Sequence, residues 1–544
     1  MTIIKGNIVD IVAEKIFKGE LHIENKKISA VIPNENITET QYILPGLIDA
    51  HIHIESSMLI PSEFARLAST HGTVATVSDP HEIANVLGID GVKFMIENGK
   101  KVPFKFFFGA PSCVPATPFE NAGASLGPAE VEELLKMKEI KYLAEMMNFP
   151  GVLIEDAEVM AKLSSAKKHD KPVDGHAPGL KGKDAQKYVR AGISTDHECF
   201  TVEEALDKMN EGMFVQIREG SAAKNFDSLI ELMEKYSDKI MLCSDDKHPN
   251  DLEQGHINQM IKRAIAKGYE LLSILKSCTL NPIRHYKLDV GMLQLGDDAD
   301  FILIDNPKDF NVLKTFVKGQ LIAENGKTLI KSIEEKTPNL FVAKAISLSD
   351  LRVEPQLGKI KVIQAIDDQL ITKSILKNAL IKRNNVISDP QNDVLKLVVL
   401  NRYEAAKPSI GFISGFGFKN GAIASSVAHD SHNIIAVGAT DDELLEAINL
   451  VIKNMGGVSW VNAKEQMVLP LPVAGIMSNQ DGFKVAKMYD EIDKKAKLLG
   501  GNLKAPFMTL SFMALLVIPE LKLSDKGLFD GNRFSFTELF AQTN

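Results

Sequence analysis

The amino-acid sequence predicts an α/β protein: a (β/α)8 TIM-like barrel with a composite N-terminal β-sandwich domain and an additional C-terminal α/β domain. Three observations predict it. Over residues 43–286, eight short apolar segments alternate with longer helical ones, the length and rhythm of eight strand–helix units. A strand-like alternation at residues 6–10 and 19–28 returns at 296–322. Residues 1–42 and 287–335 are therefore expected to form one domain with the barrel inserted between them. From residue 336 to 544 the texture changes to β-branched runs and glycine, which suggests mixed α/β structure.

The barrel strands are expected at 43–50, 73–78, 104–110, 142–147, 172–175, 193–196, 213–217 and 240–243. Each is a short apolar run of the kind a sheet buried on both faces requires. Helices fit the gaps, among them 129–139, 202–209, 226–235 and 251–267. A doubly wound open sheet is the competing arrangement, but it usually has fewer strands.

Composition narrows the function classes. The 544 residues include 62 basic and 71 acidic ones, net −9, with no basic tract, which argues against a nucleic-acid backbone as partner. No leader peptide is evident at residues 1–7, and the most apolar C-terminal stretch, 513–519, is too short to cross a bilayer. The four cysteines, Cys113, Cys199, Cys243 and Cys278, form no CxxC, so a reduced, cytoplasmic setting is expected. No membrane or nucleic-acid partner is expected; a homo-oligomer is.

The first barrel strand ends in His51-Ile52-His53. Residues i and i+2 of a strand share a side, roughly 6–7 Å apart, so both imidazoles can bind one cation. Alone, such a pair also fits two surface histidines. The other strand ends decide: Asp79-Pro80-His81-Glu82, Glu145, His176, His197-Glu198 and Asp245-Asp246. In a barrel, function collects at this C-terminal face. His51, His53, His176 and His197 with Glu145 and Asp245 exceed the needs of one four-coordinate ion. They suffice for two cations sharing a bridge, which Glu145, central in the set, can provide. Asp245 can bind a metal and also accept a proton. Two cations of this kind support hydrolysis.

These residues resemble the amidohydrolase superfamily, and within it the bacterial adenine deaminases. The motifs that carry the resemblance are Pro45-Gly46-Leu47-Ile48-Asp49-Ala50-His51-Ile52-His53, Ser78-Asp79-Pro80-His81-Glu82, Ala144-Glu145-Met146-Met147-Asn148, Gly175-His176-Ala177-Pro178, Cys243-Ser244-Asp245-Asp246 and the late Ala428-His429-Asp430-Ser431-His432-Asn433. The resemblance implies conversion of adenine to hypoxanthine and ammonia, with a metal-bound hydroxide attacking C6. It implies two divalent cations held by His51, His53, Glu145, His176, His197 and Asp245, with Mn2+ or Fe2+ ahead of Zn2+. Glu145 stands where many superfamily members carry a carboxylated lysine. Glu145 and Asp245 are the catalytic candidates; Asp246 is set aside because strand alternation turns it to the opposite face. Glu55, His81 and Glu82 are candidates for reading the purine edge, with a loop cap or ion pair as the alternative. Arg218 and Glu219 are weaker candidates, and His429 and Asp430 are expected to be structural.

Three rival readings make different demands on the sequence. A single-zinc deaminase needs a P-C-x-x-C beside H-x-E, and none is present. A cyclic amidase or deacetylase shares the barrel ligands but not the loop motifs. A non-catalytic scaffold predicts missing ligands, whereas all six positions are filled.

Overall fold

A computed structural model describes residues 1–367 and 369–541. Five parallel strands, Leu47–His53, Thr73–Ser78, Lys105–Ala110, Ile140–Met146 and Val173–Gly175, form one arc. Thr195–Asp196, Phe214–Arg218 and Ile240–Cys243 form the second. A parallel bridge from Val173 to Ile193 joins the arcs on one side. On the other, Asp245–Asp246 pairs with Ile52 and His53 and closes the barrel. The first strand is buried along its whole length, as expected of a strand with helices outside and side-chain layers inside.

The expected strand 43–50 is two strands. Tyr42–Pro45 belongs to a second, eight-stranded sheet, and the barrel strand begins at Leu47. Gly46 makes the break: a Cβ there would lie 2.4 Å from both γ-carbons of Val74. Tyr42–Pro45 runs parallel to Thr2–Asp10 and antiparallel to Phe301–Ile304, so this sheet draws strands from both sides of the barrel segment.

Two expected helices are broken. Residues 251–267 split into Pro249–Gln254 and Ile257–Ala266, because His256 turns inward to bond Asp49 Oδ2 at 2.8 Å and Thr73 Oγ1 at 2.7 Å. Residues 226–235 become the short helices Phe226–Leu229 and Met233–Tyr236 around a 3-10 turn. The sixth strand is only Thr195–Asp196.

The C-terminal region builds another eight-stranded sheet, from Lys373–Lys377 at one edge to Gln466–Pro470 at the other. Helix Asp441–Lys453 packs on it. Helix Gly482–Lys497 lies against barrel helices Pro61–Ala68 and Pro249–Gln254, bringing this region over the mouth of the barrel. No helix among the described residues is long and apolar enough to cross a membrane.

Candidate active site

His51 and His53 project from the end of the first strand with ring centroids 5.0 Å apart. The His53 Nδ1–H donates to the Asp79 carbonyl at 3.2 Å, which leaves Nε2 free to face the cavity. The Glu145 carboxylate sits among four imidazoles: its oxygens lie 3.0 Å from His176 Nδ1, 3.1 Å from His197 Nε2, 3.6 Å from His53 Nε2 and 4.0 Å from His51 Nε2. Asp245 Oδ1 lies 3.3 Å from His53 Nε2 and 3.6 Å from His51 Nε2. The structure thus brings all six expected ligands together. His51, His53 and Asp245 form one group able to hold a cation; His51, Glu145 and His197 form another, and His176, His197 and Glu198 a third. Both ring nitrogens of His51 are buried without a hydrogen-bond partner. Nδ1 faces Asp174 Oδ2 at 3.9 Å, and Nε2 faces Glu145 and Asp245; a buried ring nitrogen without a partner is costly, and Nε2 is the one whose lone pair a cation can take.

Asp245 adopts a left-handed backbone, φ 58°. Asp49, one layer down in the barrel, supports this turn by accepting from the Ser244 N–H at 3.0 Å and from the Ser244 hydroxyl. The same turn corrects the expectation for Asp246. Alternation is interrupted at Asp245, so Asp246 lines the same cavity and accepts from the Ser56 hydroxyl at 2.5 Å.

His81 and Glu82 also line the cavity, whereas Glu55 does not. Glu55 accepts from the Ile83 N–H at 3.2 Å, in the first turn of helix His81–Gly99, and so serves as a cap. The C-terminal region reaches this corner. His429 and His432 clamp Glu82 between them, one on each oxygen, and Asp430 Oδ1 lies 3.8 Å from His81 Nε2. Leu370, Phe512, Leu515 and Val517 form an apolar roof.

The amidohydrolase family profile matches residues 42–322, and a profile described as the adenine deaminase C-terminal domain matches residues 369–535. The chain is 52% identical to the adenine deaminase of Methanosarcina mazei over 98% of this chain and 99% of that one. It is 54% identical to that of Sulfurovum sp. over 98% and 99%, and 50% identical to that of Salinibacter ruber over 99% and 98%. The chain belongs to the adenine deaminase family of amidohydrolases.

Amidohydrolases are metal-dependent, and the buried His and carboxylate clusters of this family member fit that requirement. The electrostatics agree. Burial opposes a charge on His51, yet Asp174 and Asp245 push its pKa up to about 10. Burial likewise opposes charge on His176, and Glu198 and Glu145 raise it to about 9. The site therefore attracts positive charge, held here as protons that a cation can replace. Burial also opposes ionised Glu145, Asp245 and Glu82. Their neighbours outweigh it and hold all three well below the usual carboxylate range: His176 for Glu145, Arg218 for Asp245, His429 and His432 for Glu82. For Glu55, burial and the neighbouring Glu82 outweigh His53 and push it up to about 7.

Several participants carry little or no signal in the sequence. Arg218 donates to both oxygens of Glu198, at 2.5 and 2.8 Å, and to Asp245. Its signal in the sequence is weak and lies in its position as the last residue of the seventh strand, Phe214–Arg218. His432 belongs to the motif Ala428–Asn433, but its partner is 350 positions away in sequence. Asp174 accepts from Tyr286 at 2.8 Å and Thr195 at 2.9 Å, bracing the layer beneath His51.

Proposed function

We propose that this chain hydrolyses adenine to hypoxanthine and ammonia. The observation that carries the reading is the Glu145 carboxylate surrounded by four imidazoles, beneath a roof supplied by an adenine-deaminase-type C-terminal region. His51, His53, Glu145, His176, His197 and Asp245 would hold two divalent cations, and mixed nitrogen and oxygen ligation suits Mn2+, Fe2+ and Zn2+ alike. Bound there, the cations supply Lewis acidity, which makes water a stronger acid and polarises the ring.

The chain's own groups handle protons and position the ring. Asp245, kept ionised beside Arg218, accepts a proton from the attacking water. It returns that proton to the departing amino group, so C6 gains oxygen as the C6–N bond breaks and ammonia leaves. Glu82, kept ionised between His429 and His432, is an acceptor for an N–H on the purine edge. His81, beside it, presents a second polar contact. The apolar roof excludes competing water.

Metal-loaded protein incubated with adenine should release ammonia and hypoxanthine in equal amounts; adenine left untouched rejects the function. Asp245→Asn should lower kcat by about 10²–10⁴, the usual contribution of a positioned proton carrier. Unchanged turnover in that variant removes Asp245 from the role.

A further inference from the structure

Lys522 lies in the strand Leu521–Ser524, with its residue fully buried. Among the described residues no carboxylate pairs with it, and burial alone pushes its pKa down to about 7. An unpaired amine in such a place is unfavourable unless its hydrogens are used. They are used on two carbonyls: Nζ donates to Leu370 O at 2.7 Å and to Phe512 O at 2.9 Å. These two residues come from segments more than a hundred positions apart in sequence, and both roof the cavity over the candidate site. The Phe512 ring also stacks on His429, with centroids 5.1 Å apart and planes 27° from parallel, and His429 is one of the two clamps on Glu82.

We infer that Lys522 is a positioning residue that ties the two roof segments into one piece, fixing the apolar ceiling and, through Phe512, the His429–Glu82 pair. The tie does not require charge, because a neutral amine keeps two N–H groups for two carbonyls. Lys522 touches neither ligands nor the cavity, so its effect passes through Leu370 and Phe512. That this ceiling bears on adenine rests on the function proposed above; that it is tied by Lys522 does not.

The test is Lys522→Met, close to lysine in length and unable to donate. Hydrogen exchange read by mass spectrometry should rise about tenfold in residues 369–372 and 512–517, the scale of one or two net hydrogen bonds. The adenine KM should rise about tenfold with kcat within about twofold and metal content unchanged. Lys522→Arg, which keeps donors, should recover part of both effects. Unchanged exchange and KM overturn the proposal, as does faster exchange spread evenly over the chain. If the variant does not fold, the wild-type chain still decides: the two segments must show matching protection, and clearly different protection overturns the tie. Failure to turn over adenine at all sinks the function while leaving the exchange result to judge Lys522.

Discussion

Replacing Arg218 by methionine removes a buried guanidinium that donates to Glu198 from both terminal nitrogens and to Asp245 from one. At about 3 Å and an effective dielectric near 20, one unit charge is worth roughly 5 kcal/mol to an adjacent carboxylate, equivalent to roughly three to four pKa units. Asp245 should therefore rise out of its depressed range. In the loaded enzyme the cations share the task, so the expected shift is smaller. The acid limb of kcat/KM should move up by at least about one unit, because the ionised carboxylate is the active form. In the metal-free protein, stranding two buried carboxylates should cost about 3–5 kcal/mol, seen as a lower melting temperature that narrows on metal loading. The assay is ammonia release from roughly pH 5 to 9 at constant ionic strength, with metal content measured in parallel. Superimposable acid limbs at equal metal content would show that Arg218 does not govern Asp245.

Metal loading at pH 7 should release protons, since His51 and His176, raised to about 10 and 9, hold them in the metal-free protein; affinity should fall as pH falls, and indicator-dye titration showing no release refutes this. Burial depresses His248 to about 4, so the folded state refuses a proton that the unfolded chain accepts below about 6.5. Its share of stability, about 3 kcal/mol, is present above pH 6.5 and lost as pH falls toward 4; His248→Gln should flatten the melting-temperature profile over that window. Gly46→Ala places a methyl 2.4 Å from the Val74 γ-carbons and should cost about 1–3 kcal/mol. Val74→Ala in the same chain should recover part of that loss, and simple additivity of the two substitutions would refute the contact.

What was legible in the sequence was local. His51 and His53 share a side because strand geometry repeats every two residues, and the remaining polar strand ends follow once a barrel is assumed. The unread parts depend on distant partners. Asp246 faces the cavity because Asp245 leaves the strand conformation, a turn supported by Asp49 nearly two hundred positions earlier. The helix over 251–267 breaks because buried His256 also seeks Asp49, and helical periodicity carries no trace of that pull. The clamp on Glu82 needs the orientation of the C-terminal region, which is set by packing such as helix Gly482–Lys497 on the barrel.

The sheet shared by the two flanks of the barrel constrains the order of assembly. Tyr42–Pro45 lies between Thr2–Asp10 and Phe301–Ile304, so one edge stays open until a strand about 260 residues later has been made. At about 5–20 residues per second, the ribosome leaves that row of N–H and C=O groups without its native partner for roughly 13–50 s, long enough for wrong pairing with another nascent chain. The barrel must meanwhile be synthesised between the two halves of the clasp. A chain released before residue 301 keeps an open sheet edge, and one released before residue 429 keeps a Glu82 without its two C-terminal imidazole partners.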